Sequence, residues 1–244
     1  MANYERFICF FDILGFKTKI LAYSFPVKQS VYENIISNYK ESINASVVDN
    51  KGNVLIANNG DRIIAKQSNI AWFSDSVILY SDVLTDANVE SEIFNLLESA
   101  LRLFVTMLKL KFPVRGAVAI GDFCANPELN IYLGKPLIDA YEFSLKHDWA
   151  GATLTADAAR YMRERNISTN YLVDYCVPCK SGEVVTFKTL NWASYNEADR
   201  RNNITELIIK NAFESNAGNM TWDVKRKLSN TLSFFAQFKS NQNI

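Results

Sequence analysis

The chain begins with an apolar run, RFICFFDI, interrupted by a single carboxylate, Asp12, and then turned by Gly15. Residues 5–12 read as a β-strand, and the glycine turn leads into a segment able to open a helix. Pro26 starts a second helix, with Val31, Ile35, Tyr39 and Ile43 at helical spacing. VVDNKGNVLIA holds two short β-prone runs around Asn50, Lys51 and Gly52 and predicts a hairpin. AWFSDSVILYSD predicts a tighter one, with Ser74 and Asp75 at its tip. Between 86 and 109, Ile93, Leu96, Leu97, Ala100, Leu101, Phe104, Val105 and Leu108 repeat at the three-four spacing of one buried helix face. Thr85 or Asp86 can cap it. PVRGAVAIGDF and NIYLG read as strands joined by a polar CANPEL turn. PLIDAYEFSLKH and TADAARYMRER read as helices, the second capped by Thr155. YLVDY and GEVVTF return to strand. From about Ser194 the pattern is helical, with Val224, Leu228, Leu232, Phe235 and Phe238 on one face.

A first strand, a helix pair and an antiparallel hairpin form the split βαβ unit of a ferredoxin-like α/β sandwich, an α+β arrangement. In that topology the end of the first strand and the tip of the central hairpin are neighbours. Asp12 and Asp75, distant in sequence, are therefore expected to meet.

Composition narrows the field. The chain has 244 residues, 48% of them hydrophobic and 21% charged, enough apolar material for a sizeable core. Its 26 basic and 26 acidic residues cancel, so no broad basic field argues for nucleic acid or an anionic membrane. No apolar run approaches the ~20 residues of a membrane span. MANYERF lacks the basic-then-apolar pattern of a signal peptide, and a cytoplasmic location with reduced thiols is expected. Cys176-Val-Pro-Cys179 lacks a second such pair, and His147 is the single histidine, so a zinc site is not expected. That pair reads as structural, His147 as a surface or helix-end residue, and Lys225-Arg226-Lys227 as a solvated helix face. The four tryptophans, Trp72, Trp149, Trp192 and Trp222, read as core or dimer contacts.

Two carboxylates at adjacent sheet positions, without histidine or thiolate, suit Mg²⁺ or Mn²⁺, whose coordination is commonly completed by substrate phosphates. The turn after Asp12, from Ile13 to Lys17, can present backbone N–H groups to a triphosphate, Gly15 allows close approach, and Lys17 and Lys19 add charge. A plainer reading stands beside this one: Asp at a strand end also serves as a cap, and Ser-Asp is an ordinary hairpin turn.

These residues also carry a resemblance. FFDILGF resembles the F-x-D-I-x-G-F motif of the class III nucleotide cyclases, the adenylate and guanylate cyclases. WFSDSVIL resembles their central hairpin, with Ser74-Asp75 in place of the usual Gly-Asp. VRGAVAIGD resembles their Arg-x-Gly-Ile strand, and YLGKPLIDAYEFS the strand and helix that follow it. The similarity runs in family order from about Arg6 to Asp157. It implies a class III cyclase catalytic fold over residues 1–190, with extra C-terminal helices over 191–244. It also implies two divalent ions, Mn²⁺ or Mg²⁺, on Asp12, Asp75 and the Ile13 carbonyl. The nucleotide would lie along Phe11, Ile13, Leu14, Gly15, Phe16, Lys17 and Ala71. The implied enzyme is a homodimer that closes a nucleoside triphosphate to its 3′,5′-cyclic monophosphate and releases pyrophosphate.

The departures are specific. The purine-reading Lys of the family, four residues before the hairpin Asp, is Ala71 here. Aligned on Gly134, the family's transition-state Asn falls on Ile138 and its Arg on Glu142. Arg115, Lys135 and Lys146 are the candidate replacement cations, with Arg115 ranked first and Lys135 next to it as catalytic residues. With FFDILGF, FSDS and the AYEF helix, the chain resembles most the pyrimidine cyclases of bacterial Pycsar anti-phage systems. That implies UTP, or else CTP, as substrate and a separate effector that senses the cyclic nucleotide. A non-catalytic nucleotide-binding module on the same fold is the alternative.

Overall fold

The structure, a computed structural model, describes residues 4–21, 24–44, 54–58, 61–65, 68–195, 204–214 and 220–239. It opens with strand β1 (Glu5–Ile13), a short helix α1 (Phe16–Leu21) and a longer one, α2 (Phe25–Asn44). Then come the pairs β2 (Val54–Asn58) with β3 (Asp61–Ala65), and β4 (Asn69–Phe73) with β5 (Ser76–Tyr80). Helix α3 (Val89–Lys109) leads to β6 (Val114–Asp122), a small hairpin of β7 (Cys124–Asn126) and β8 (Ile131–Leu133), and α4 (Lys135–Lys146). β9 (Gly151–Leu154), α5 (Ala156–Glu164), β10 (Leu172–Pro178) and β11 (Val184–Leu190) follow, then α6 (Glu206–Phe213) and α7 (Trp222–Phe238).

Seven strands form one mixed sheet in the order β10-β11-β9-β6-β1-β5-β4. Its central four, β6-β1-β5-β4, are antiparallel neighbour to neighbour, and β5 is inserted between β1 and β4. This is the split βαβ core expected from the sequence, and the fold is a mixed α/β one. β9 extends the sheet by pairing parallel with β6.

β1 is apolar at nearly every position because both its faces are covered. Phe7, Cys9, Phe11 and Ile13 face the larger core with Leu96, Ala100, Leu101 and Phe104 of α3. Ile8 and Phe10 face the other side, against Ala117, Ala119 and Ala140 of α4. The C-terminal helices share the larger core: Trp192 stacks on Phe104 at 5.0 Å and lies 5.1 Å from Phe234.

The local details refine the expectations, and some of them differ. β2 pairs with the strand after it, β3, a pairing not expected from the pattern; the hairpin expected around Asn50, Lys51 and Gly52 lies outside the described residues. The cap residue of α3 is Asn88, whose side-chain oxygen accepts from the Thr85 amide. Half of the CANPEL turn is strand β7. β9 was not expected from the pattern. On α7 the fully buried positions are Lys227, Thr231, Phe234 and Phe235, while Val224, Leu228 and Leu232 are half-buried. Among the tryptophans, Trp149 and Trp192 are core and Trp222 is exposed.

Gly116 sits opposite Phe11 in the middle of the sheet. A Cβ there would lie 2.6 Å from Phe11 Cδ1 and press on the Phe10 carbonyl. Gly116→Ala should lower the unfolding free energy by about 1–3 kcal/mol through overpacking. Urea denaturation reads this directly, and an unchanged midpoint would refute the close packing.

Candidate active site

Asp12 is the next-to-last residue of β1 and lies opposite Arg115 of β6 and Ser76 of β5. Strand alternation puts its side chain on the α4 side of the sheet, the same side as Phe10. Asp75 follows Ser74 in the two-residue turn between β4 and β5, where Ser74 adopts φ +50°. The Ile13 amide donates to the Asp75 carbonyl at 2.9 Å, which locks the hairpin tip against the end of β1. The structure thus brings Asp12 and Asp75 together.

The turn beyond is partly committed to structure. The Leu14 amide donates to the Pro113 carbonyl at 2.8 Å, so the Ile13 and Leu14 N–H groups are occupied. Gly15, at φ +71° with open space around it, turns the chain into α1. Phe11 belongs to the α3-side core, and Phe16 packs edge-on against Tyr32 at 6.5 Å. Lys17 is exposed on α1. Lys19 is not at Asp12: its ammonium donates to the carbonyls of Lys111 and Ala212 and lies over the Phe112 ring. Burial and the Lys111 charge push it down to about 8.

Of the proposed cations, Arg115 is the one beside Asp12. The residue is 5% exposed; Nη2 donates to Asp12 Oδ2 at 2.9 Å and Nη1 to the His147 carbonyl at 3.3 Å. Lys135 is exposed at the start of α4 and paired with Asp139 of its own helix. Ile138 and Glu142 are also exposed on α4. Ala71 is buried in β4 among the α4-side apolar residues and supplies no side-chain donor.

Sequence reasoning missed two neighbours of Arg115, His147 and Lys180, and a further pair of cations beyond them. His147 ends α4 but is fully buried, its ring 4.9 Å from Phe143 and facing Thr153 Oγ1 at 3.4 Å. Lys180 is anchored through its backbone amide to the Lys146 carbonyl at 2.8 Å. Burial, then the charges of Arg115 and Lys227, lower its proton affinity. Lys227 and Arg226 are no solvated face: both bind the carboxylate of Asp148, which is 2% exposed. A Lys-Ser-Gly turn and a basic triplet give no signal of such partners, because the contacts join segments far apart in the chain. Cys176 and Cys179 are free thiols, the former beside Thr186 and the latter facing the Val177 carbonyl.

Burial raises the Asp12 carboxyl above its ordinary range; Arg115 opposes this, and the Asp75 charge adds to it. A carboxylate so placed is stabilised by a further cation. The donor set is all oxygen, which fits Mg²⁺ or Mn²⁺ rather than a zinc site. Among the described residues no three His, Cys, Asp or Glu side chains cluster. An ion on Asp12 and Asp75 would therefore take its remaining ligands from backbone, water or phosphate. Beside Asp75, an apolar cavity of about 370 Å³ is lined by Phe10, Phe73, Ser76, Tyr132, Ile138 and Tyr141, among others.

No protein-family model and no curated protein matches the chain. Solved structures do. The adenylyl cyclase CyaB from P. aeruginosa is 10% identical, with 82% of this chain and 97% of that one covered at a TM-score of 0.49. A bacterial light-regulated adenylyl cyclase is 13% identical, covering 79% and 92% at 0.48. The catalytic core of a rhodopsin-guanylyl cyclase with converted specificity, in complex with ATPαS, is 11% identical, covering 77% and 95% at 0.47.

The buried His147 generates a pH prediction. Burial and the charges of Arg115, Lys146 and Lys180 push it down from 6.5 to about 4. The folded state therefore binds fewer protons than the unfolded chain between those values. Its contribution is complete above about pH 6.5 and is lost as pH falls toward 4, by up to about 3 kcal/mol. Chemical denaturation across that window should show the loss in the wild type and a flatter profile in His147→Gln. Equal slopes would contradict the assignment.

Proposed function

We propose that the chain is a nucleotide cyclase that converts a pyrimidine nucleoside triphosphate, UTP in preference to CTP, to its 3′,5′-cyclic monophosphate and pyrophosphate. The observation that carries this is the pairing of a half-buried Asp12 with Asp75, locked by the Ile13–Asp75 backbone bond. Mg²⁺ or Mn²⁺ held there would neutralise triphosphate charge and favour ionisation of the ribose 3′-hydroxyl. Asp12, Asp75 and the Ile13 carbonyl are the protein ligands in this reading. Arg115 and Lys180 stand beside Asp12 and face the polyphosphate, whose charge builds up as the leaving group departs. The 3′-oxygen forms a bond to the α-phosphorus, the bond from that phosphorus to the bridging oxygen breaks, and pyrophosphate carries the electron pair away. The hydroxyl proton passes to solvent.

The cavity beside Asp75 takes the base. Ser76, Asn130, Tyr132 and Tyr141 are the polar side chains among its lining residues. No lysine stands at position 71, which supports a pyrimidine over a purine on the resemblance stated above. Phe73, Ile138 and Tyr141 are exposed apolar residues lining this cavity, and Leu133 is exposed on the neighbouring β8; a second copy covering them would form a homodimer. No helix among the described residues is long and apolar enough to cross a membrane. On the same resemblance, the product serves anti-phage defence through a separate effector.

A second reading, a nucleotide-binding module without turnover, is favoured by one observation: Ile138 and Glu142 present no cation on α4. The two readings separate in one assay. Purified protein with Mn²⁺ and ATP, GTP, CTP or UTP in turn should yield one cyclic pyrimidine nucleotide by mass spectrometry. Asp12→Ala and Asp75→Ala should each reduce turnover by at least about a hundredfold with the fold retained. A cyclic purine would remove the pyrimidine reading. Triphosphate binding without pyrophosphate release would establish the module instead.

A further inference from the structure

The C-terminal helix grips the segment that holds Arg115. Asp148 lies between α4 and β9 with its side chain 3% exposed. Arg226 binds it through both Nε and Nη2, and Lys227 Nζ lies 3.5 Å from Oδ1. One turn further along α7, Asn230 Nδ2 donates to the Asp148 carbonyl at 2.8 Å. Thr231 Oγ1 accepts from the Ala150 amide at 2.9 Å and donates to the Lys227 carbonyl at 2.7 Å. Trp149 is wedged against Phe234 at 4.9 Å. Asp148 and Ala150 are therefore fixed from α7 by side chains at i, i+1, i+4 and i+5, which share one helix face.

From the opposite side, the Asp148 amide donates to the Pro178 carbonyl at 2.9 Å, and Lys180 bonds to Lys146. The segment thus presents the His147 carbonyl to Arg115 Nη1, while Arg115 Nη2 holds Asp12. Among the described residues Arg115 Nε has no hydrogen-bond partner, so the contacts at Nη1 and Nη2 set the direction of the guanidinium.

We infer that α7 is a positioning element for the site: Asp148, clamped by Arg226 and Lys227, fixes the His147 carbonyl and through it the orientation of Arg115 toward Asp12. The inference rests on the cyclase reading only for its effect on turnover; the coupling itself is a property of the folded protein. A helix outside the split βαβ core thereby becomes part of the site's geometry, and Asp148 is a positioning residue that touches no substrate.

The test uses the full chain labelled with ¹⁵N-arginine, with the Arg115 signals assigned by their loss in Arg115→Lys. Held at both nitrogens, Arg115 should show separate, slowly exchanging Nη resonances in the wild type without nucleotide. In Asp148→Asn, which keeps the shape and removes the charge, and in Arg226→Gln, they should merge into one averaged signal. Circular dichroism checks that the fold is retained. If Arg226→Gln fails to fold, Asp148→Asn and Thr231→Val carry the comparison. Unchanged Arg115 signals in folded variants would overturn the inference and leave α7 a packing element. With UTP and Mn²⁺, Asp148→Asn should lower kcat about tenfold or more while KM stays within about threefold. Absence of turnover in the wild type would count against the cyclase reading and leave the resonance result standing.

Discussion

The Asp12–Arg115 pair is the interaction around which this end of the molecule is organised. A carboxylate at the end of a strand covered on both faces loses solvation, and burial is the largest influence on its protonation. Arg115 offsets part of that cost from the neighbouring strand, at 2.9 Å. The offset is incomplete, because Arg115 also donates to the His147 carbonyl and leaves Nε unpartnered. A site built only for stability would replace such a pair with apolar side chains. Keeping it leaves a partly compensated carboxylate next to a second one, an arrangement that gains most when a cation arrives.

Charge is layered outward from that pair. Arg115 faces Asp12; Lys180 and His147 flank it; Asp148 and Asp223 then balance Arg226 and Lys227. His147 has its charged form disfavoured first by burial and then by the charges of Arg115, Lys146 and Lys180. Positive charge is thus concentrated between the two aspartates and the C-terminal helix, where a polyphosphate would need it. The acids needed to keep that concentration tolerable lie one layer further back.

The fold was legible where local pattern decides. The alternation and double burial of β1, the three-four stripe of α3 and the two-residue tip between β4 and β5 each carry their own signature. The meeting of Asp12 with Asp75 followed from topology once those elements were in order. The Arg115 contact was legible as a strand position, since registers place it opposite Asp12. What the pattern could not reveal depends on long-range contacts. β9 is four residues long and is defined by its parallel neighbour. Lys19 looks like a phosphate-binding lysine until the carbonyls of Lys111 and Ala212 occupy it. The basic triplet of α7 looks solvated until Asp148 is seen beneath it.

That last misreading shows where the C-terminal helix belongs in the molecule. A helix that merely covered the core would bury its apolar stripe and leave its cations in water. Here the most buried positions of α7 include Lys227 and Thr231, and the stripe of Val224, Leu228 and Leu232 is only half covered. Burying a lysine and a threonine costs free energy unless each is bonded, and each is, to the segment from Asp148 to Ala150 or to the helix itself. Apolar residues would have held the helix down with less penalty. Polar contacts add direction, and the direction they impose runs through the His147 carbonyl to the Arg115 guanidinium that touches Asp12.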